Sequence, residues 1–468
     1  MGGTWSPTSP PSDPGFYVNF EAMATATVSG GQTGVVLIPL HDAVWGPAGS
    51  NEFYSLAEYD RVYSNADVGA RKAVAGAFTG TGYRPGAERV IVFRINTDNT
   101  LAKAAEVTED GLTFTGRYPG EYINGWTISV MSDPINTTEH VVTLTDTDGR
   151  VRWSMEYTCL AGDLADAIGP EPNNWFTVTG TYNGGDITAA AFVDGADLKL
   201  ASDLESVIET EILNNDFNVV TTYDDDTSGV VLAITENAKK LNLEGKRFMA
   251  VVGGEEDESI DDAVAAAVAL GNENIVRVGY TDLETVDGVV VSTAKFAPQL
   301  AGIIAANGPF RSITANHISG MRVFQKATKS DLRKARNAGV VMLVEDQIGA
   351  RLYQDMTTYT AETIYKPRKE FGVIKAVMVH HQVETDLTRA AESGWIGGSN
   401  VNTENYRRAV LDGITGYLMR IEGAAMIQPG WYVGLDDEYD NTGDSIHIKY
   451  GIKTTRVVER ILNTIVLH

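Results

Sequence analysis

Residues 247–278 decide the fold. They open with Arg247-Phe248-Met249-Ala250-Val251-Val252, pass through an acidic stretch from Glu255 to Asp262, continue at helical spacing to Leu270, and close with Asn274-Ile275-Val276-Arg277-Val278. The two apolar runs have the length and near-continuous hydrophobicity of strands buried on both faces. The carboxylates lie where a helix begins, and there the positive end of its dipole favours them. A strand, a helix and a second strand in this order predict a parallel βαβ unit.

Working outward, the alternation continues. Short apolar strands are expected at 216–223 and 340–345, with helices at 228–241, 295–306 and 330–337. Towards the N-terminus, 34–40 and 89–95 read as buried strands flanking helical spacing over 56–77. The pattern changes near residue 97. Segments 126–131, 141–145, 151–157 and 175–181 are β-type, with Asp148-Gly149 as a hairpin turn and one short helix at 162–168. Beyond the core, two long helices at 369–393 and 403–423 lead through 427–433 to terminal strands. The fold class is therefore α/β: a wound core sheet, an inserted β-rich domain, a C-terminal α+β domain, and extended strand-forming arms at both ends. The expected division is an arm and linker at 1–33, a core at 34–96 and 191–360, the insertion at 97–190, and the C-terminal domain at 361–468.

Both ends carry strand patterns. Ile446, Ile448, Tyr450 and Ile452 alternate with polar or small residues, and 456–467 is as long as a long strand, with Val457, Val458, Ile461, Leu462, Ile465 and Val466 as its apolar set. Phe16-Tyr17-Val18-Asn19-Phe20 also alternates, after a Pro/Ser/Gly-rich lead-in that cannot order alone and before a small, polar linker at 22–33. A long apolar strand with an open edge aggregates unless a partner takes the edge. Two such ends suggest strand exchange between copies of the chain. The alternative is that both ends pair inside their own domain.

Composition narrows the function classes. A net charge of −25 over 468 residues disfavours nucleic-acid binding, because a phosphate backbone would be repelled. There is no run of 18 apolar residues and no basic start followed by an apolar segment, so neither a membrane-spanning helix nor a signal peptide is expected. The lone Cys159 precludes an internal disulfide and suits a reducing compartment during folding.

The familiar site motifs are incomplete in this sequence. Residues 241–246 end like a phosphate-binding loop, but Lys240 stands where its first glycine belongs, Arg247 replaces Ser/Thr, and a strand follows. Residues 80–86 have one residue too many for a dinucleotide fingerprint. No Gly-x-Ser-x-Gly elbow occurs. His380 and His381 diverge by about 100° on a helix and cannot share a metal. Residues 436–444 resemble a calcium loop but lack glycine at the sixth position and Glu at the twelfth, where His447 stands, so a hairpin tip is expected. No catalytic, cofactor or metal residue is assigned. Two basic patches stand out on so acidic a chain: Lys326, Lys329, Arg333, Lys334 and Arg336 on one helix and its lead-in, and Arg407-Arg408 near a helix start. Each is either a solvated face or a docking surface for an acidic partner.

Taken in order, four segments resemble the sheath proteins of contractile tails, found in myovirus-type phages and phage-tail-like bacteriocins. Pro14-Gly15-Phe16-Tyr17-Val18-Asn19-Phe20 is similar to the family's N-terminal arm. Residues 118–128, starting Tyr118-Pro119-Gly120, resemble the segment opening its inserted β-domain, with Asn124-Gly125 inverted. Ala301-Gly302 through Pro309-Phe310-Arg311-Ser312-Ile313-Thr314, and Asn337-Ala338-Gly339-Val340 through Asp355-Met356-Thr357-Thr358-Tyr359-Thr360, look like two core segments. The resemblance implies a structural subunit without cofactor or catalysis. It implies six-fold rings stacked helically on a tail tube, linked by exchanged terminal strands, with baseplate and tail terminator proteins as further partners. The sheath would be part of a virion tail or bacteriocin particle assembled in a bacterial host cytoplasm, and its contraction would drive the tube through a cell envelope. The tube would then be the partner of the basic patches. The rival from another class is an α/β nucleotide-binding or hydrolytic enzyme with accessory domains, its ligand at strand ends near Gly253-Gly254 and Val278-Gly279.

Overall fold

The structure, a computed structural model, describes residues 3–4, 17–18 and 33–457, apart from 67, 82, 96–103, 170–172, 198–199, 319, 364 and 398–399. The chain divides into two compact units, 32–378 and 1–31 with 379–468.

The larger unit is built on a seven-stranded sheet. Its spatial order is Val340–Val341, Ile275–Val278, Met249–Gly253, Val219–Thr221, Val35–Leu40, Arg89–Arg94 and Asn51–Phe53. All neighbours are parallel except the last pair. Alternation sorts each strand into two buried layers. Val36, Ile38, Val90, Val92, Val251 and Val276 face one core together with the helices Gly69–Thr79 and Thr293–Asn307. Val35, Leu37, Ile91, Phe93, Val220 and Val252 face another, beneath Leu204–Asn214 and Gly229–Leu243. Strands covered on both faces have no polar side to alternate, hence their continuous apolar runs.

Chain order reverses within this sheet. From Val35–Leu40 the chain moves to Arg89–Arg94 on one side, then returns to Val219–Thr221 on the other side and continues outward. The crevice beyond the C-terminal ends of 35–40 and 219–221 is therefore a topological switch point, where open α/β sheets ordinarily take a ligand.

The inserted β-rich part has its own core. A four-stranded sheet, ordered Val151–Thr158, Glu139–Thr145, Thr127–Ser132 and Ile187–Ala191, accompanies a three-stranded one of Phe176–Gly180, Leu112–Gly116 and Glu106–Glu109. Phe114, Trp126, Leu144 and Phe176 fill this core, and Trp45, from the loop after Val35–Leu40, joins it with its ring stacked 5.8 Å from Trp175.

In the smaller unit, helix Glu404–Gly423 packs its Val410, Ile414, Tyr417 and Leu418 face into a core shared with Val379 and Val383. The buried Asp386 carboxylate accepts from Tyr417 Oη at 2.9 Å and from Gln382 at 2.8 Å. The terminal antiparallel pair, Tyr432–Leu435 with Ile448–Gly451, completes this unit.

Several expectations need correction. The helical segment 56–77 is two helices, Leu56–Tyr63 and Gly69–Thr79, because Ser64 takes a positive φ of 77°. The strand at 340–345 is two: Val340–Val341 stays in the main sheet, while Leu343–Glu345 turns into a hairpin with Ala350–Leu352. The helix at 369–393 breaks at Gly372, whose N–H closes the short turn Arg368–Phe371 before Ile374–Ala390 begins. Within the lead-in, Gly3–Thr4 pairs in parallel with Tyr17–Val18, so part of the segment expected to be a solvated tail is a short strand.

Candidate interaction surfaces

At the switch-point crevice, the loop after Val219–Thr221 is fastened on two sides. His41 Nδ1 lies 3.2 Å from Asp224 Oδ2, and its ring stacks on Tyr223 at 4.7 Å. Tyr223 Oη donates to Asp42 Oδ1 at 2.6 Å, and Asp42 accepts the Gly69 and Ala70 N–H groups that open a helix, at 2.8 and 2.9 Å. Burial alone would lower the His41 pKa, but the Asp224 and Asp42 carboxylates outweigh it and raise it.

Next along the sheet, Arg277 is fully buried and its guanidinium pairs with both Asp226 and Glu258. Arg277 Nε donates to Asp226 at 3.1 Å, and the Tyr280 N–H donates to Glu258 at 3.1 Å. Desolvation works against the guanidinium charge, yet the two carboxylates raise its pKa above the ordinary value. This cluster occupies the place assigned to a ligand near Gly253-Gly254 and Val278-Gly279. A Cβ at Gly254 would lie 2.3 Å from Glu258 Oε2, and one at Gly279 would lie 2.3 Å from Arg277 Nη1. The glycines admit the protein's own charged side chains, which fill the space at the ends of strands 249–253 and 275–278. Lys246, the lysine of the loop-like 241–246 segment, donates to the Asn215 carbonyl at 2.7 Å.

The terminal hairpin is organised differently. Among the described residues, each of its strands is paired in a sheet only with the other. Its connecting turn is the acidic stretch 436–444, a hairpin tip as expected. Asn441 ties the turn together, donating to the Asp436 and Tyr439 carbonyls at 3.0 and 3.1 Å and accepting the His447 N–H at 2.6 Å. Arg407, half-buried, is spent on this turn through the Asn441 carbonyl at 3.1 Å and Asn402 at 2.9 Å, while Arg408 pairs with Glu404 on its own helix. Of the exchange-strand candidates, Tyr17 and Val18 are in a strand and Val457 is exposed. Phe16, Asn19, Phe20, Val458, Ile461, Leu462, Ile465 and Val466 lie outside the described residues.

The other basic patch sits on helix Lys329–Ala338. Lys326 pairs with Glu345 at 2.8 Å and Lys334 with Asp261 at 2.7 Å, whereas Lys329, Arg333 and Arg336 are exposed. An open groove of about 660 Å³ nearby is lined by Glu284, Arg322, His317 and Asp346, with His317 Nε2 2.8 Å from Asp346. No sequence motif announced the Arg277 cluster or this groove, since both depend on residues far apart in the chain.

Comparison with solved structures accounts for the whole arrangement. A sheath tail protein from Desulfitobacterium hafniense superposes with a TM-score of 0.71 at 18% identity, over 94% of this chain and all of that one. The fold is that of a tail sheath protein. A sheath tail protein from Listeria innocua matches with a TM-score of 0.65 at 16% identity, over 92% of this chain and 98% of its own. The sheath of an extracellular contractile injection system, in its contracted state, matches with a TM-score of 0.59 at 13% identity, over 98% of this chain and 99% of its own. No family model and no curated protein matches the sequence. The sheath fold thus includes the seven-stranded core, the insertion and the terminal hairpin.

Proposed function

We propose that this chain is the sheath subunit of a contractile tail or tail-like injection device. The observation that carries the reading is the end-to-end likeness to sheath proteins, including one in a contracted assembly. Against the rival nucleotide-binding or hydrolytic reading stands the packing of Arg277, Glu258 and Asp226 near Gly253-Gly254 and Val278-Gly279, where it would place its ligand.

Copies polymerise around a tail tube in stacked rings, joined by strand exchange. The 432–435/448–451 hairpin, a two-stranded sheet among the described residues, suits the addition of incoming strands, and the apolar segments 16–20 and 456–467 suit the donor role. Each main-chain hydrogen bond so formed contributes about 0.5–1.5 kcal/mol net, small for one joint and large over a tail. Contraction is a change between two packings of the polymer, and the interfaces that differ between them supply the work. A baseplate releases it, a terminator closes the far end, and the particle assembles in the cytoplasm of a bacterial host.

The test is negative-stain microscopy of the purified chain with and without a tube protein. Tubes or stacked rings are expected. Isolated compact particles in both cases, with a thermal midpoint raised by saturating ATP or NAD, would restore the enzyme reading.

A further inference from the structure

Helix Lys329–Ala338 carries more cations than its own carboxylates can match. Lys329 is its first residue, beside the positive end of the dipole. Lys329 and Arg333 are four apart and Arg336 three further on, so the three side chains fall within about 60° around the axis and span about 10 Å along it. Like charges at this spacing repel. The helix has one carboxylate, Asp331, and the capping box consumes it: it accepts from the Thr328 N–H at 2.8 Å and the Thr328 hydroxyl at 2.7 Å. Lys334, off the stripe, has its counter-ion in Asp261, and Lys326 has one in Glu345. Among the described residues, none pairs with Lys329, Arg333 or Arg336. Arg368 adds a cation at the far end, donating to the carbonyls of Arg336 and Asn337 at 3.0 and 2.9 Å.

We propose that this stripe docks on the acidic surface of a second copy of the chain, in a head-to-tail contact; the proposal rests on reading the chain as a polymer subunit. With 62 acidic against 37 basic side chains, every copy offers the complementary charge. The inserted part is one such acidic surface. Within 104–195 its only lysine or arginine residues are Arg117, Arg150 and Arg152, two of which sit by Asp148 and Asp146, while Glu121, Asp133, Glu156, Asp163 and Asp166 are exposed. A basic patch meeting a different, acidic patch is a heterologous contact, which propagates into rings or helices instead of closing a dimer. Charge also steers approach and fixes register.

Sedimentation velocity of the purified full chain, without tube protein, tests this apart from the sheath reading. Association is expected at low salt and should weaken as salt rises. The triple variant Lys329→Glu/Arg333→Glu/Arg336→Glu should associate about tenfold or more weakly with an unchanged thermal midpoint. The control Arg61→Glu/Lys72→Glu/Arg389→Glu, identical in net charge, should behave as the parent. Because the stripe variant keeps its acidic face, small amounts should shorten parental assemblies. The proposal is overturned if the parent shows no salt-sensitive association, or if the two triple variants weaken equally. It is also overturned if the stripe variant self-associates normally and loses only binding to the tube, which would make the tube the partner. A fall in midpoint for the reversed chain calls for Lys329→Gln/Arg333→Gln/Arg336→Gln, judged by the same outcomes.

Discussion

The C-terminal edge of the seven-stranded sheet and the terminal hairpin are opposites. The first is where an α/β protein usually recognises a ligand, and here it is closed by buried charge, with Arg277 held between Glu258 and Asp226. The second is, among the described residues, a two-stranded sheet to which further strands could be added, marginal by itself. On the proposed reading, recognition belongs to the sheet edges and not to this end of the sheet. On the reading proposed above, the core acts as a strut, and the chain ends and the hairpin form the joints between copies.

The largest effect should come from the closed region. Arg277→Met leaves two carboxylates facing a site without a cation, one of them, Glu258, buried, and should cost about 3–5 kcal/mol, read from urea unfolding. A loss below about 1 kcal/mol would mean that water already reaches Glu258. In the open region, Asn441→Ala removes the ties that organise the 436–447 turn and should cost about 1 kcal/mol, with unfolding of the larger unit unchanged. An equal loss in both regions would erase the contrast between them.

Ligand challenge sharpens it further. A nucleotide bound at a hundred times its Kd would stabilise the fold by about 2.7 kcal/mol. Saturating ATP or NAD should leave the thermal midpoint of this chain unmoved, and a rise would reopen the crevice. The smallest effect is that of His41. Its folded pKa is raised, so its stabilising contact with Asp224 is complete below the ordinary value of 6.5 and fades as pH climbs through the raised one. The stability difference between parent and His41→Gln should therefore be largest near pH 6 and shrink by about pH 9. A difference that grows with pH would assign the loop's anchorage to Tyr223 and Asp42 instead.

Much of this contrast was legible in the sequence. The apolar runs at 247–252 and 274–278 place two central strands because burial on both faces leaves no polar alternation to confuse them. Asp148-Gly149 marks a real hairpin, and Asp110-Gly111, equally strong as a turn signal, joins Glu106–Glu109 to Leu112–Gly116, a pair the sequence reading passed over. Helix Leu204–Asn214 was also passed over, although Asp203 caps it and Ile208 and Ile212 share its buried face. The breaks at Ser64 and Gly372 were not legible, since local spacing continues through them and only tertiary packing decides. Nor was the closed crevice: Arg277 within an apolar run gives no hint that Asp226 and Glu258 converge on it. Of the basic residues, charge alone could not separate Arg407, fixed to a turn, from Lys329, Arg333 and Arg336.

Truncation after Thr455 tests the central claim most directly. It removes the terminal segment whose apolar set includes Val457, Val458, Ile461 and Leu462 while leaving the hairpin and its bridge between Ile427 and Thr454 in place. Microscopy of the full and truncated chains, side by side with their thermal midpoints, should show tubes or stacked rings for the full chain and folded, dispersed subunits for the truncated one. Normal sheaths from the truncated chain, or its global unfolding, would contradict strand exchange as the joint between copies.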